Sequence, residues 1–472
     1  MNNQKHDVVI IGAGIGGLIC GAYLAKAGLN VVIVEKRNQV GGCCASFRIN
    51  GFNFDAFVHS FGSCRKGGYV DRILNDLDLK EALKFERYNP SDIVIIGNER
   101  IEIGGDANRI ILQLQKIFPK ERKKIKDFFE MVNRSELSGL YLKFRKKSFS
   151  DLLNAYFESF KLKAIISISV LGNASLPPST MNAFSAIIVL KEFILDGGYY
   201  PIGGMQNFSN LLAESAKKAG VEIILNNPVR QILFKNNCSY GVILKDNSVL
   251  KSSNVIANCS VPDVYLDLLN RQNNVDFRKL TISRFKPSLS AVTVFLGVEG
   301  ELKVDQNLNC NLWLLPNYNL EKMYEKINSG GMDSDDVYLL IYMSEYFRKR
   351  KNKTICAFVN APFNTISFWK KNREKVLTRI ISKIEQIIPN IRKCIKVKSC
   401  ITPHAVLNYT NNYMGATYGW MPSVEQSWNT KAINELSFIK NLSFVGHWTT
   451  QGFGVPSVME LGRKTAIKII QN

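Results

Sequence analysis

One pattern near the start of the chain limits the possible folds more than any other. The apolar run His6-Asp7-Val8-Val9-Ile10-Ile11 leads directly into Gly12-Ala13-Gly14-Ile15-Gly16-Gly17-Leu18. An alanine-rich helical stretch from Cys20 to Ala27 follows, and a second apolar run, Val31-Val32-Ile33-Val34, ends on Glu35. Strand, glycine turn, helix, strand and acidic residue in this order specify a βαβ unit built to hold an ADP moiety. Gly12 permits the tight strand-to-helix turn, Gly14 lets the backbone approach a pyrophosphate, and Gly17 lets helix and strand pack closely. The helix start at Ile15 and Gly16 offers N–H groups and a positive dipole end to phosphates. Glu35 stands about twenty residues on, where a carboxylate accepts both ribose hydroxyls.

The residues after Glu35 narrow the nucleotide. Glu35-Lys36-Arg37-Asn38-Gln39-Val40-Gly41-Gly42 is followed by Gly51-Phe52-Asn53-Phe54-Asp55. An acidic residue, a basic turn at Lys36 and Arg37, a Gly-Gly pair and a Gly-aromatic-x-Phe-Asp hairpin resemble flavoproteins that bind FAD through an N-terminal ADP site. Simple NAD dehydrogenases do not carry this sequence. Gly42 is expected to bring a further backbone N–H to the diphosphate, although a Gly-Gly pair alone equally suits an ordinary turn.

Composition points to an enzyme with a large core. The chain has 472 residues, of which 46% are hydrophobic, enough to fill two or more subdomains. The longest apolar segments, near Ala164-Ile165-Ile166 and Ala186 to Leu190, are too short for a membrane span. A core strand begins within the first few residues, which leaves no room for a signal peptide and suggests a cytoplasmic protein. The ten cysteines show no CxxC pair and no ligand spacing with histidine, so no metal site and no disulfide framework are expected. Cys43 and Cys44 are adjacent and expected to be reduced.

The net charge of +21 is concentrated in two places. One is Lys116, Lys120, Arg122, Lys123, Lys124 and Lys126 with Lys143, Arg145, Lys146 and Lys147; the other is Arg348-Lys349-Arg350-Lys351 with Lys353. Ile117, Phe118, Phe128, Phe129, Leu140, Tyr141, Leu142 and Phe144 interleave with the first cluster. A basic, apolar-edged helical region suits peripheral association with an anionic membrane, and equally a solvated charged face. No nucleic-acid-binding module accompanies the charge, so nucleic acid is not expected as a partner.

The organisation reads as interleaved. A long helical middle runs from about Gly68 to Leu195, and Gly197 to Met205 interrupts it. Asn207 to Gly220 reads as an amphipathic helix, and strand-like runs follow at Val221–Leu225, Val229–Phe234, Tyr240–Leu244 and Asn254–Asn258. This block resembles the flavoprotein segment whose strand returns to the dinucleotide domain, with Val229 at the adenine. From about Phe277 to Ser399, strands such as Ala291–Leu296 alternate with helices such as Asn372–Ile388. The expected division is a discontinuous FAD-binding domain (1–75, 196–275 and 400–472) and a substrate-binding domain (76–195 and 276–399) that carries the basic region.

The closing segment is the most specific. Asn441-Leu442-Ser443-Phe444-Val445-Gly446-His447-Trp448-Thr449-Thr450-Gln451-Gly452-Phe453-Gly454-Val455-Pro456, then Gly462-Arg463, resembles the C-terminal signature of the phytoene desaturase and carotenoid isomerase family, to which retinol saturases also belong. Tyr200-Pro201-Ile202-Gly203-Gly204-Met205 and Thr402-Pro403…Thr410…Gly415 to Trp420 agree, and Phe54-Asp55-Ala56-Phe57-Val58-His59 resembles the FDxGxH motif of the isomerase and saturase branch. The resemblance implies an α/β fold, with α+β character in the second domain: a Rossmann-like FAD-binding domain of the glutathione-reductase and amine-oxidase type, interleaved with a sheet-plus-helix substrate domain. By position it places Gly446 and His447 at the ribityl-phosphate region and starts a helix at Gly454 and Val455 under the isoalloxazine.

Several residues depart from that pattern. His447 stands where the family usually has an acidic residue, Gln451 replaces a common proline, Phe57 replaces a glycine, and Cys43 takes a frequent arginine position. The resemblance implies two-electron exchange between flavin and a carbon–carbon bond of an apolar isoprenoid or polyene: desaturation, saturation or cis–trans isomerisation. His59 is the one histidine within a motif and the candidate to orient substrate or relay a proton. Two other readings stay open: a flavin amine oxidase, for which Trp420 and Trp448 would form an aromatic cage, and a non-catalytic prenyl-lipid escort, against which Glu35 argues. Substrate identity, electron acceptor and oligomeric state are not legible in the sequence.

Overall fold

The computed structural model describes residues 5–172, 174–269, 282–303, 310–343, 352–427, 439–449 and 454–471. Phe277, the basic run Arg348 to Lys351 and the signature residues Thr450 to Phe453 lie outside the described residues.

The strand Lys5–Ile11, the helix Ile15–Lys26 and the parallel strand Val31–Val34 form where the glycine spacing places them. Gly12 has φ +100°, and a side chain there would meet the Asn258 carbonyl at 2.7 Å. A Cβ on Gly17 would lie 2.4 Å from the Gly12 carbonyl oxygen, the close helix–strand approach that only glycine allows. Around this unit a sheet assembles in the order Val229–Lys235, Cys238–Leu244, Val249–Ala257, Lys5–Ile11, Val31–Val34, Glu222–Ile224. Leu442–Phe444 adds to Val249–Ala257 in parallel. The helices Met205–Lys218 and Val455–Ile470 pack on Ile15–Lys26, and Gly462 brings the last of them against the Gly16 carbonyl.

A second sheet runs Ile395–Ile401, Ser290–Glu299, Asn352–Ala361, Leu339–Met343, Asn311–Leu315, Asp92–Ile96, Glu99–Ile103. Every residue from Ser290 to Val298 is buried, so this interior strand is covered on both faces, which is why it reads as a nearly continuous apolar run. The sheet shares one core with the helix Ile366–Glu385 and with the helices between Ala107 and Val189.

The middle of the chain is not helical throughout. After the helix Tyr69–Asp76, Phe85–Arg87, Asp92–Ile96 and Glu99–Ile103 are strands, and helices resume at Ala107. Ile93-Val94-Ile95-Ile96 is β-branched at every position and pairs with Asn311–Leu315, so packing on that strand sets its state. The basic region also divides. Phe128, Phe129, Leu140 and Phe144 belong to the core and do not edge the charge, whereas Ile117 and Leu142 remain exposed, as do Leu112 and Phe160. No helix among the described residues is long and apolar enough to cross a membrane.

Candidate functional site

The C-terminal ends of Lys5–Ile11, Val31–Val34 and Val249–Ala257 open on one cavity that continues to the second sheet. Gly12, Gly14, Ile15, Gly16, Glu35, Lys36, Arg37, Gly42, Val229, Gly446, His447, Gly454, Val455 and His59 all line it. Gly17 does not; it sits one layer behind, packed on Gly12.

At the nucleotide-like end, Glu35 is buried and accepts from the Ala13 N–H (2.8 Å) and the Arg37 N–H (3.0 Å). The carboxylate therefore bridges the glycine turn and the basic turn. Asn258, just past the returning strand, donates its amide to the Gly12 carbonyl (2.9 Å), and its Oδ1 lies so near Gly16 and Gly446 that a Cβ on either would be crowded. One side chain thus ties the turn, the helix start and the C-terminal segment. Asp263 and Asp267 also line this end; burial pushes the Asp263 carboxyl up to about 7, reinforced by Asp267 and opposed by Lys36.

The other end is formed by Ile188, Val189, Phe193, Tyr342, Phe358 and Tyr418, with Phe57 between the two ends, its ring 5.7 Å from that of Tyr409. The hairpin Ser46–Ile49/Phe52–Asp55 delivers the Phe57–Phe61 stretch, anchored where Asp55 accepts from Ser46 Oγ (2.7 Å) and the Tyr200 hydroxyl (2.6 Å). His59 stacks on Tyr342 with ring centroids 4.5 Å apart. Val189 and Phe193 come from the helix Ala183–Val189 and a π-helical turn, Leu190–Ile194. Glu192 of that turn accepts two bonds from the Arg65 guanidinium (both 3.0 Å) and one from Ser63 Oγ (2.8 Å), which commits its charge within the protein.

Electrostatics keep this wall neutral. Burial holds the imidazoles of His59 and His447 down at about 4, and the Cys43 thiol is pushed up to about 11. At ordinary pH both histidines are uncharged and Cys43 is not a thiolate.

Seven buried side-chain polar atoms among the described residues lack a partner, and four of them, Arg37 Nε, Ser60 Oγ, Tyr409 Oη and His447 Nε2, belong to this cavity wall. Gln39 lies near the Tyr409 hydroxyl without forming a well-directed bond. Leaving such groups unsatisfied costs about 1–3 kcal/mol each, so the wall suits a ligand rich in phosphate and hydroxyl oxygens. The glycine turn, Glu35 and these four atoms fit FAD.

One expectation fails here. Trp448 is 1% exposed and Trp420 6%; they pack edge-to-face at 5.0 Å, Trp448 donates to Asn412 Oδ1 (2.9 Å), and neither lines the cavity. They provide no aromatic cage, whereas Phe57, which stands in place of the glycine, does line the cavity. The sequence reading also missed Asn258, Ser60, Tyr409 and Asn411. Asn258 carried a signal, being the first polar residue after an apolar strand that returns to the glycine turn; the others carried none, because their partners are far away in the chain.

The family model described as flavin containing amine oxidoreductase matches residues 15–470. An all-trans-retinol 13,14-reductase of Danio rerio is 24% identical, covering 94% of this chain and 82% of its own. A chloroplastic prolycopene isomerase of Daucus carota is 25% identical over 94% of this chain and 77% of its own. Among solved structures, cyclohexylamine oxidase from Brevibacterium oxydans superposes with a TM-score of 0.65 at 13% identity, covering 99% of both chains, a likeness of fold.

Proposed function

Because the chain belongs to the family of flavin-containing amine oxidoreductases and uses FAD, we propose that it redox-modifies or isomerises a carbon–carbon bond of an apolar isoprenoid or polyene. The observation that carries this reading is the composition of the cavity end away from Glu35. Ile188, Val189, Phe193, Phe358 and Tyr418 line it, and its one carboxylate among the described residues, Glu192, is already paired with Arg65. Such a wall gains affinity with buried apolar area, about 25 cal/mol per Å², and offers a cationic amine no free counter-charge. The retinol reductase and prolycopene isomerase among the relatives are named for substrates of this class.

In this reading Gly12, Gly14, Ile15, Gly16, Glu35, Lys36, Arg37, Gly42, Val229, Gly446, His447, Gly454 and Val455 hold FAD, with Gly17 supporting the turn. Bound FAD supplies the two-electron exchange with the carbon–carbon bond. The residues between the two sheets exclude water and align the chain of the substrate. His59, neutral and fixed against Tyr342, orients the substrate or relays a proton. We propose the same division into a discontinuous FAD domain (1–75, 196–275, 400–472) and a substrate domain (76–195, 276–399), although the strand Ile395–Ile401 of the second sheet crosses the 399/400 boundary.

Purified protein should be yellow, release its flavin on acid precipitation, and convert a polyene under anaerobic single-turnover conditions while leaving mono- and diamines untouched. Reduction of the flavin by an amine, with no change in any isoprenoid tested, would favour the oxidase reading instead.

We also propose peripheral binding to an anionic membrane through the surface that carries Leu112, Ile117, Leu142 and the surrounding lysines. The helix Leu137–Phe144, which bears the exposed Leu142 and Lys143, packs on Ala183–Val189, whose last residue lines the cavity. A lipid taken from the bilayer there would have a short path to the site. Vesicles containing phosphatidylserine should bind the protein more tightly than neutral ones, at roughly 1 kcal/mol per well-placed cation. Binding should weaken as salt shortens the screening length to about 10 Å at 0.1 M. Equal partitioning onto both vesicle types would remove the electrostatic part of the proposal.

A further inference from the structure

We propose that Tyr409 and Asn411 form a clasp that retains FAD by closing the nucleotide-like end of the cavity against Lys36 and Arg37; this rests on the FAD reading of that cavity. The strand Ile395–Ile401 at the edge of the second sheet runs into the helix Pro403–Thr410. The end of that helix reaches across to the basic turn of the N-terminal sheet. The Arg37 guanidinium lies 3.5 Å from the centroid of the Tyr409 ring, and Lys36 Nζ donates to Asn411 Oδ1 at 2.6 Å. Asn411 holds its place in a left-handed conformation (φ 59°) that caps the helix. Behind it, Asn412 donates to the Ala416 carbonyl (2.9 Å) and accepts from Trp448 Nε1 (2.9 Å), so the segment is braced from the core.

Three observations assign the segment to the ligand and not only to the fold. Tyr409 and Asn411 line the same cavity as Glu35. The stacked pair contributes two of the four unsatisfied buried atoms of the wall, Arg37 Nε and Tyr409 Oη, one from each side of the junction. The two contacts also join residues 372 and 375 positions apart, one from each sheet's connections, so a cofactor held behind them is released more readily when they part. The clasp therefore acts on release. Removing it should raise the dissociation rate of FAD and leave the association rate nearly unchanged.

The test is the rate of FAD release from the holoenzyme, followed by recovery of free-flavin fluorescence after dilution. Tyr409→Ala and Asn411→Ala should each release FAD roughly five- to tenfold faster, the worth of one cation–π contact or one charged hydrogen bond. Tyr409→Phe, which keeps the ring under Arg37 but loses the hydroxyl, should fall between wild type and Tyr409→Ala. Tyr409→Ala combined with Arg37→Ala should be less than additive. Glu35→Ala separates the two layers of argument. If it weakens FAD binding while both clasp variants release FAD at the wild-type rate, the clasp is wrong and the FAD site stands. If Glu35→Ala has no effect either, the FAD placement itself is wrong. Should Tyr409→Ala fail to fold, Tyr409→Phe and Asn411→Ala decide by the same rates.

Discussion

Gly17→Val should yield a chain that no longer binds FAD. Even the first carbon of a side chain at this position would sit 2.4 Å from the Gly12 carbonyl oxygen and 2.8 Å from Asn258 Nδ2. Both neighbours are fixed: Gly12 is the turn itself, and the Asn258 amide is bonded to the Gly12 carbonyl. The helix start must therefore back away from the strand, carrying the Ile15 and Gly16 N–H groups with it. Overpacking of this kind costs about 1–3 kcal/mol in stability when a core can yield, and more when backbone is in the way. Displacing the phosphate-facing N–H groups costs FAD affinity on top, so a fall of roughly a hundredfold or more is expected, equivalent to about 3 kcal/mol. Flavin fluorescence titration of refolded apoprotein measures it. Gly139→Ala is the matched control: Gly139 lies in the helix Leu137–Phe144 with nothing near its Cβ position, and alanine there should be neutral or slightly stabilising. Wild-type FAD affinity in Gly17→Val would mean that the glycine turn is not the cofactor site.

The stability gap between wild type and His447→Gln should change with pH between 6.5 and 4. Burial lowers the His447 pKa from 6.5 to about 4. Above pH 6.5 the imidazole is neutral in folded and unfolded chains, and its contribution is fully present. As pH falls, the unfolded chain takes up a proton that the folded one refuses, so folded stability is lost until about pH 4. The full loss is about 3 kcal/mol for this one residue. Glutamine does not titrate, so the variant should gain on wild type by that amount between pH 6.5 and 4. His59, also held at about 4, should behave alike in His59→Gln. Asp263, raised to about 7, works in the opposite sense: its stabilising contribution is lost as pH rises from about 4 to 7. The wild-type slope alone therefore reports a sum, and the difference between proteins isolates the histidine. Chemical denaturation at a series of pH values gives both curves; parallel curves would show that His447 is solvated in the folded protein.

What the sequence determined by itself is the backbone geometry of the cofactor end. Lys5 to Glu35 is a local device: a strand of apolar residues, a turn with a positive-φ glycine, a glycine-rich helix start, and an acidic residue at the end of the next strand. Each part is specified by residue type within one βαβ unit, so order and spacing suffice. Gly446, which has φ +93°, and the helix start at Val455 were placed by the resemblance of the closing segment. His59 was placed by its motif, and the structure sets it in the same cavity.

Tertiary structure decided which side chains complete the site. Asn258 meets Gly12 across 246 residues, and Arg37 meets Tyr409 across 372. Tyr409 is an aromatic residue in a short helix, and nothing in its neighbourhood distinguishes it from a core residue. Trp448 shows the converse, since a motif residue next to His447 turned inward to Asn412 and Trp420 and left the cavity wall. The same holds for Phe128, Phe129, Leu140 and Phe144, whose spacing among lysines looked like a surface edge until packing buried them. Backbone conformation at a glycine turn is a property of a few consecutive residues. The partner of a side chain depends on which distant surface folds against it, and that is set by the packing of two sheets whose strands come from all parts of the chain.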